Sequence, residues 1–497
     1  MTDYGAISSN SSTCTDVGFE AQNLSQKEVT SWKESFLTHS GIHAVFAATS
    51  DVYILTLQRF LRMIAYGQTT LILVLFFEGL DNVTETEIGL FMSLTLLGDV
   101  IMSYFLTLYA DDLGRRKVLA LSSFLMLVSG LTFCISDNYY VLLMAAVVGV
   151  ISPSGDETGP FKSIEESTLA HLTPTKHQPE IFAWYGLFGT MGGAIGSLSG
   201  GFLVEYLSIK YGNVMTAYRS IFGLYSVLAA LKLMSNFWLT ENCELENLRS
   251  IDNVTDQEHE ALIQRSTVDD ANESFQGSEA STVNSSTPPK RDLLHLIFGA
   301  PLSHSSKPIV LKLLCFFAFD ALGYGFLLQS WLVVYFTNQF NIKAGPLGSL
   351  LFATTVVGSF SSLFSAALYK RVGPIKAMVF THLPSALFAG SIPLAGHNLP
   401  AAMTLLLFRA ATNTMDVVPR TAFLSVVVKS DERTRVMGMV NIVKTLTRSV
   451  GPVIVGRLSE NGMLWVSFII GGLLESSYDI GLFASFYWID RRFNHTQ

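Results

Sequence analysis

The chain has 497 residues, 49% of them hydrophobic and only 14% charged, with 35 phenylalanines and a formal net charge of −8. A soluble chain carries roughly a quarter charged residues, so a string of soluble domains is excluded in favour of a polytopic membrane protein. The acids concentrate in one central segment, leaving no case for nucleic-acid binding, and Cys14, Cys134, Cys243 and Cys315 are spaced too widely for a metal site or disulfide scaffold.

Residues 1–50 are polar and rich in Ser, Asn and Thr, with no basic stretch leading into an apolar core, so no cleavable signal peptide is expected. They read as a mostly disordered tail, with His43 an interface residue rather than a catalyst. A hydrocarbon core of about 30 Å needs ~20 mostly apolar residues per helix, and about twelve windows meet that requirement. The first six lie near 56–80, 88–110, 117–136, 140–171, 180–206 and 216–238, forming a bundle over 51–238. Residues 239–308 are acidic and Ser/Thr-rich, too poor in apolar surface to offset ordering entropy, and read as a mostly disordered linker. The second six windows, near 309–338, 346–369, 376–396, 400–429, 436–458 and 464–488, form a bundle over 309–489, followed by a tail at 490–497.

Lysine and arginine collect in the loops on one side: Arg115, Arg116, Lys117, Lys176, Lys370, Arg371, Lys376, Lys429, Arg433, Arg435, Arg491 and Arg492. The other side holds Lys210 and Lys343 beside the acidic run at 81–87. The positive-inside rule then puts both termini and the linker in the cytosol. Of the glycosylation sequons only Asn82 faces outward, close to the membrane. The halves also echo each other: "LYADDLGRRK" follows helix two and "LYKRVGPIK" follows helix eight, while "GGAIGSLSGG" in helix five has "TRSVGPVIVG" as its counterpart in helix eleven. Two parallel six-helix repeats with a binding site between them is a transporter plan.

"TLYADDLGRRK" resembles the loop signature of the major facilitator superfamily. Asp111, Gly114, Arg115 and Arg116 match it; Thr107 stands in place of the usual glycine and Asp112 in place of a basic residue. The resemblance covers roughly 56–488 and implies an all-α fold of twelve transmembrane helices in two pseudo-symmetric bundles. It further implies that helices one, four, seven and ten line a central cavity, and that Asp111 docks at the end of helix eleven as part of a gate. An acid suits a helix N-terminus.

Ionisable groups at bilayer depth cost at least ~2.5–3.5 kcal/mol each, so they face water or partners. "ISPSGDETGPFKSIEEST" places five in helix four. Asp156 and Glu157 sit near its middle in a Pro/Gly-rich, kinked or unwound stretch. Lys162 reaches Glu165 and Glu166 at i+3 and i+4, as a gate pair near the cytosolic mouth. In helix ten, Arg409, Asn413, Asp416 and Arg420 share one stripe. Helix eleven adds Asn441, Lys444, Thr445 and Arg448, and helix seven adds Asp320 and Tyr324. Helix one contributes Arg59 as an interface anchor, Arg62 as anchor or gate, and Tyr66 and Gln68 deeper. Asp99 of helix two belongs either to packing or to the pathway.

The expected function is secondary active transport of a small organic solute by alternating access. A desolvated carboxylate, Asp156, Glu157 or Asp416, carries the proton, with Arg420 competing for it. Gly192, Gly196, Gly200 and Gly201 resemble the antiporter signature of drug-exporting facilitators, with Ser197 in place of its proline, which tilts the expectation to export. The alternatives are proton symport or facilitated uptake and, in another class, a non-transporting receptor or scaffold. Close helix packing through small residues explains the glycines equally. No enzyme motif, cofactor or metal is expected. The expected setting is a monomer in the plasma or vacuolar membrane.

Overall fold

A computed structural model describes residues 42–80, 82–149, 151–155, 160–244, 303, 306–429 and 432–489. In the first half, a short turn at Ile42–Phe46 precedes α1 (Ser50–Glu78), α2 (Glu85–Leu113), α3 (Arg115–Ile135), α4 (Tyr139–Gly149), α5 (Pro160–Leu172), α6 (Gln178–Tyr211) and α7 (Val214–Ser235). The second half contains α8 (Lys307–Phe326), α9 (Gln329–Phe340), α10 (Ala344–Val372), α11 (Pro374–Ser391), α12 (Leu399–Asn413), α13 (Val417–Val427), α14 (Arg433–Arg448), α15 (Gly451–Glu460) and α16 (Leu464–Phe486). No strand occurs among the described residues. Nine stretches among them are long and apolar enough to cross a bilayer, one of which joins α8 and α9. Three more pairs, α4/α5, α12/α13 and α14/α15, are broken into segments each shorter than the ~20 residues a single crossing needs. Taken as single crossings, they fit a total of twelve.

The interruptions have identifiable chemical causes. Pro419 has no N–H to offer the Met415 carbonyl one turn back, so the chain tightens into a 3₁₀ turn at Thr414–Asp416. The carbonyl freed there is taken by α10, where Ser365 Oγ donates to Met415 O at 2.5 Å. Thr414 Oγ1 donates in turn to Gly358 O at 2.7 Å. Pro452 acts similarly between α14 and α15. Between α4 and α5, Pro153 presents its carbonyl to Ser330 Oγ at 2.6 Å, and the same hydroxyl lies 3.2 Å from Thr70 O. That contact ties the break in the first half to the start of α9 in the second.

The repeat seen in the sequence recurs in the backbone. Gly114 joins α2 to α3 at φ 91°, and Gly373 joins α10 to α11 at φ 89°, a region that side-chain-bearing residues avoid. Aromatic side chains fill the first half, with Phe77–Phe91 and Phe133–Phe222 ring centroids 4.5 and 4.7 Å apart. The packing of this half extends past both expected edges. Ala44 at one end and Leu239 and Cys243 at the other are buried in one cluster with Leu55 and Leu119. The Glu244 carboxylate accepts from the amides of Arg115 (2.7 Å) and Arg116 (3.1 Å), capping α3. Residues 245–302, most of the expected linker, lie outside the described residues, as do 1–41 and 490–497.

The two halves meet along glycine seams. A Cβ on Gly201 would stand 2.3 Å from the Ala344 carbonyl oxygen, and one on Gly348 would stand 2.4 Å from Ser197 O, where α6 crosses α10. Where α2 crosses α15, Gly456 and Gly89 are each 2.3 Å, by the same measure, from the carbonyls of Glu85 and Pro452. Close backbone approach of this kind drives helix association in lipid, where burial gives no hydrophobic gain. Polar ties at the same end add to it: Thr86 with Glu460, and Lys343 with Glu205 at 3.7 Å.

Candidate functional site

Five helices of the second half bring charge to one buried cluster. Asp320 of α8 lies at its centre, with Lys444 Nζ of α14 at 3.1 Å and Arg420 Nη1 of α13 at 3.3 Å, both on Oδ2. Arg420 also pairs with Asp416, four residues earlier. His382 of α11 sits behind them, Nδ1 2.9 Å from Asp479 Oδ2 of α16 and Nε2 3.8 Å from Asp320 Oδ1. The imidazole therefore bridges two carboxylates, with the Tyr478 ring packed edge-on at 5.7 Å. One turn away on α16, Glu475 takes a two-pronged contact from Arg409 of α12 at 3.0 and 3.2 Å. Ser385 Oγ lies 3.5 Å from Asn413 Oδ1 on the same face. Tyr324 carries the Arg448 guanidinium 4.3 Å above its ring.

The first half holds a smaller cluster in which cations outnumber acids. Glu165 of α5 accepts from both Arg62 nitrogens at 2.5 and 2.7 Å and from Tyr185 Oη at 2.7 Å, with Lys232 Nζ of α7 at 3.3 Å. Arg62, Glu165 and Lys232 are all 1% exposed or less. Arg59 stacks on the other side of Tyr185, 4.0 Å from the ring centre. Buried ions persist only when paired, and here one carboxylate serves two cations.

Several residues singled out from sequence converge. Asp320, Asp416, Arg420 and Lys444 form one network, and Arg409, Asn413, Tyr324 and Arg448 lie around it. The gate expected of Lys162, Glu165 and Glu166 divides. Lys162 and Glu166 face each other at 3.9 Å on an accessible surface, while Glu165 turns inward because Arg62 and Lys232 offer it a buried double contact. Tyr66 and Gln68 are buried in the wall, Gln68 donating to Ser199 Oγ at 3.2 Å. Arg115 Nη1 lies 3.5 Å from Ser167 O, and its amide, with that of Arg116, is capped by Glu244. Gly114 makes the turn described above. Asp156 and Glu157 lie outside the described residues, as does the side chain of Asp111.

The sequence reading missed Lys232, Tyr185, His382, Glu475, Tyr478 and Asp479. Each titratable or basic one among them interrupts an otherwise apolar window, as in "LAALKLMS" and "LLESSYDIG". The depth argument applied to helix four would have found them. Glycines Gly192, Gly196 and Gly200 of α6 abut α1: a Cβ at Gly196 would stand 2.2 Å from Ile64 O, and one at Gly192 2.7 Å from Phe60 O. Among the described residues no group of three or more His, Cys, Asp or Glu side chains is arranged to hold a metal.

Comparison with known proteins bears on the fold and the family. The chain is 40% identical over 450 residues to the uncharacterized membrane protein YJR124C of Saccharomyces cerevisiae, covering 90% of this chain and 96% of that protein. A shorter stretch of 155 residues, 31% of this chain and 38% of the relative, is 24% identical to the quinolone resistance protein NorA of Staphylococcus aureus. Among solved structures, a D-xylose–proton symporter superposes with TM-score 0.63 at 15% identity over 87% of this chain and 97% of its own. The nucleoside transporter NupG does so with TM-score 0.59 at 13% identity over 88% and 99%. The family model of the Major Facilitator Superfamily matches residues 55–452 and 313–495. The chain thus belongs to the major facilitator superfamily, as a multi-pass membrane transporter of the secondary type and not an enzyme.

Proposed function

We propose that the protein moves a small organic solute by alternating access, coupled to protons, with the second-half cluster as the coupling site. The observation that carries this reading is the His382 imidazole held between Asp479 and Asp320. Imidazole changes charge near neutral pH. Asp416, Arg420 and Tyr478 crowd the same space, so a proton gained by one carboxylate alters which acid holds Arg420. Asp416 keeps the role proposed from sequence, and Asp156 and Glu157 remain the acids proposed for the first half. The glycine seams support a conformer closed at the end where α6 meets α10 and α2 meets α15, with the solute path leading to the end of Gly114 and Gly373. Loop charge supports assigning that end, both termini and the 239–308 linker to the cytosol, in the plasma or vacuolar membrane, around bundles at 51–238 and 309–489.

Export by antiport is the direction favoured by the likeness to NorA and by the glycine pattern at 192–201; proton-linked uptake is the second reading. The test is flux in oriented proteoliposomes under an imposed pH gradient. His382→Gln, Asp479→Asn and Asp416→Asn are expected to uncouple solute movement from the gradient while counterflow persists. Unaltered coupling in all three would remove the proton assignment, and the sign of solute movement decides direction.

A further inference from the structure

We propose that the solute is an organic anion, received by Lys444, Arg448 and Arg420; this rests on the carrier reading above. Cations lie at the surface of the cluster and acids lie behind them. The side chains of Lys444 and Arg420 are 28% and 20% exposed, against 7% for Asp320 and 4% for Asp416. Asp479 and Glu475 are 1% exposed. A solute entering the site therefore meets cations first, and the acids form a second row that holds them in place.

The exposed face is an aqueous one rather than a lipid one. On α14, Asn441, Lys444, Thr445 and Arg448 lie on one stripe. On the same helix Ile442 and Leu446 are 40% and 48% exposed and apolar. At ~100° per residue the two stripes point roughly 130° apart. The apolar stripe suits hydrocarbon, which leaves the cationic stripe for the chamber.

Lys444 and Arg420 already converge on one oxygen of Asp320, so two cations from different helices are positioned to grip a single carboxylate. Ammonium and guanidinium carry three and five donors respectively, more than Asp320 and Asp416 use. Phe317 lies under both cations, 5.4 Å from Lys444 Nζ and 5.8 Å from the Arg420 guanidinium, and Tyr324 lies under Arg448. Phe317 is fully buried, so its ring backs and positions the two cations rather than meeting the solute. A solute carboxylate then competes with Asp320 for the same donors, and its departure returns them to Asp320. A cationic solute would meet Lys444 and Arg420 before reaching any acid.

The test uses the purified full chain and matched probes that differ only in charge: indole-3-acetate, indole-3-acetamide and tryptamine, and benzoate, benzamide and benzylamine. In equilibrium dialysis the acids are expected to bind at least about tenfold more tightly than their amides and amines, the scale of one charge-assisted hydrogen bond. Lys444→Gln and Arg448→Gln should each remove about that factor, and Lys444→Arg should restore most of it, which separates charge from folding. Acids that bind no better than amides or amines, or Lys444→Gln with undiminished preference, would overturn the assignment. Counterflow in proteoliposomes keeps the two readings apart. Movement of amides or amines without movement of acids leaves the carrier and removes the anion; no movement of any probe, with no acid binding, removes both.

Discussion

Replacing Glu165 by alanine takes away the carboxylate that Arg62 and Lys232 share, and leaves Tyr185 Oη without its 2.7 Å acceptor. Removing one partner of a buried ion pair costs about 3–5 kcal/mol, because the charge left behind loses that counter-ion and gains no water in exchange. Arg62 and Lys232 are each 1% exposed, so neither can recover hydration by a rotamer change. For a body the size of the first half, each kcal/mol shifts the unfolding midpoint by roughly 2–4 °C. Glu165→Ala is therefore expected to unfold roughly 6–20 °C lower, read by intrinsic tryptophan fluorescence of the detergent-purified protein. The triple replacement of Arg62, Glu165 and Lys232 by methionine should recover most of that loss, since exchanging a whole buried ion cluster for apolar side chains is often neutral or stabilising. A single variant within about 2 °C of wild type, or a triple variant as unstable as the single one, would show that orphaned charge is not what sets the cost.

Gly201→Ala places a methyl 2.3 Å from the Ala344 carbonyl oxygen, 1.1 Å inside the 3.4 Å lower limit of ordinary contact, and should slow transport at least about tenfold. Gly186→Ala, with nothing within 4 Å, serves as the matched control; equal flux in both would refute a role for the seam. The Cys243 thiol is pushed up to about 12, first by burial and then by Asp51. Only about one in ten thousand molecules is thiolate at pH 8, so Cys243 should resist iodoacetamide, its labelling rising about tenfold per pH unit. Peptide mass spectrometry checks this, and fast labelling at pH 8 would contradict it. The Glu432 carboxyl is held below the ordinary value of 4.5 by hydrogen bonds from the Ser306 hydroxyl and the Ser303 amide. A depressed carboxyl contributes stability above its unfolded pKa and loses it as pH falls through the folded value. Hydrogen-exchange protection, taken relative to the intrinsic rate, at 303, 306, 307, 309 and 310 should therefore fall below about pH 4.5, and Glu432→Gln should flatten that dependence.

The helices and their pairing into repeats were legible because span length and loop charge are properties of single stretches of chain. Asp320, Asp416, Arg420 and Lys444 were legible for a related reason: a charge inside an apolar window has few places to go. The partners of those charges were harder to see. Each network takes one or two residues from each helix, so Lys232 on α7 and His382 on α11 gave no local cluster to notice. Same-helix spacing joined Glu165 to Lys162, but spacing along one helix carries no information about Arg62 on α1. The glycines of α6 left packing and transport direction equally open, and the carbonyls found against them account for the packing part.

The seams between the halves also bear on how such a molecule would move. Where a glycine lies against a carbonyl, separation forfeits dispersion of about 0.1–0.2 kcal/mol per atom pair and weak Cα–H···O contacts of about 0.5–1 kcal/mol. The ion pair across the seam, Lys343 with Glu205, is 75% and 27% exposed, so both ends regain water on parting. Such a surface parts like a zip, tooth by tooth on a shallow slope, rather than like a bolted door. Modest binding energy, delivered deep inside, is then enough to tip the rocking equilibrium either way.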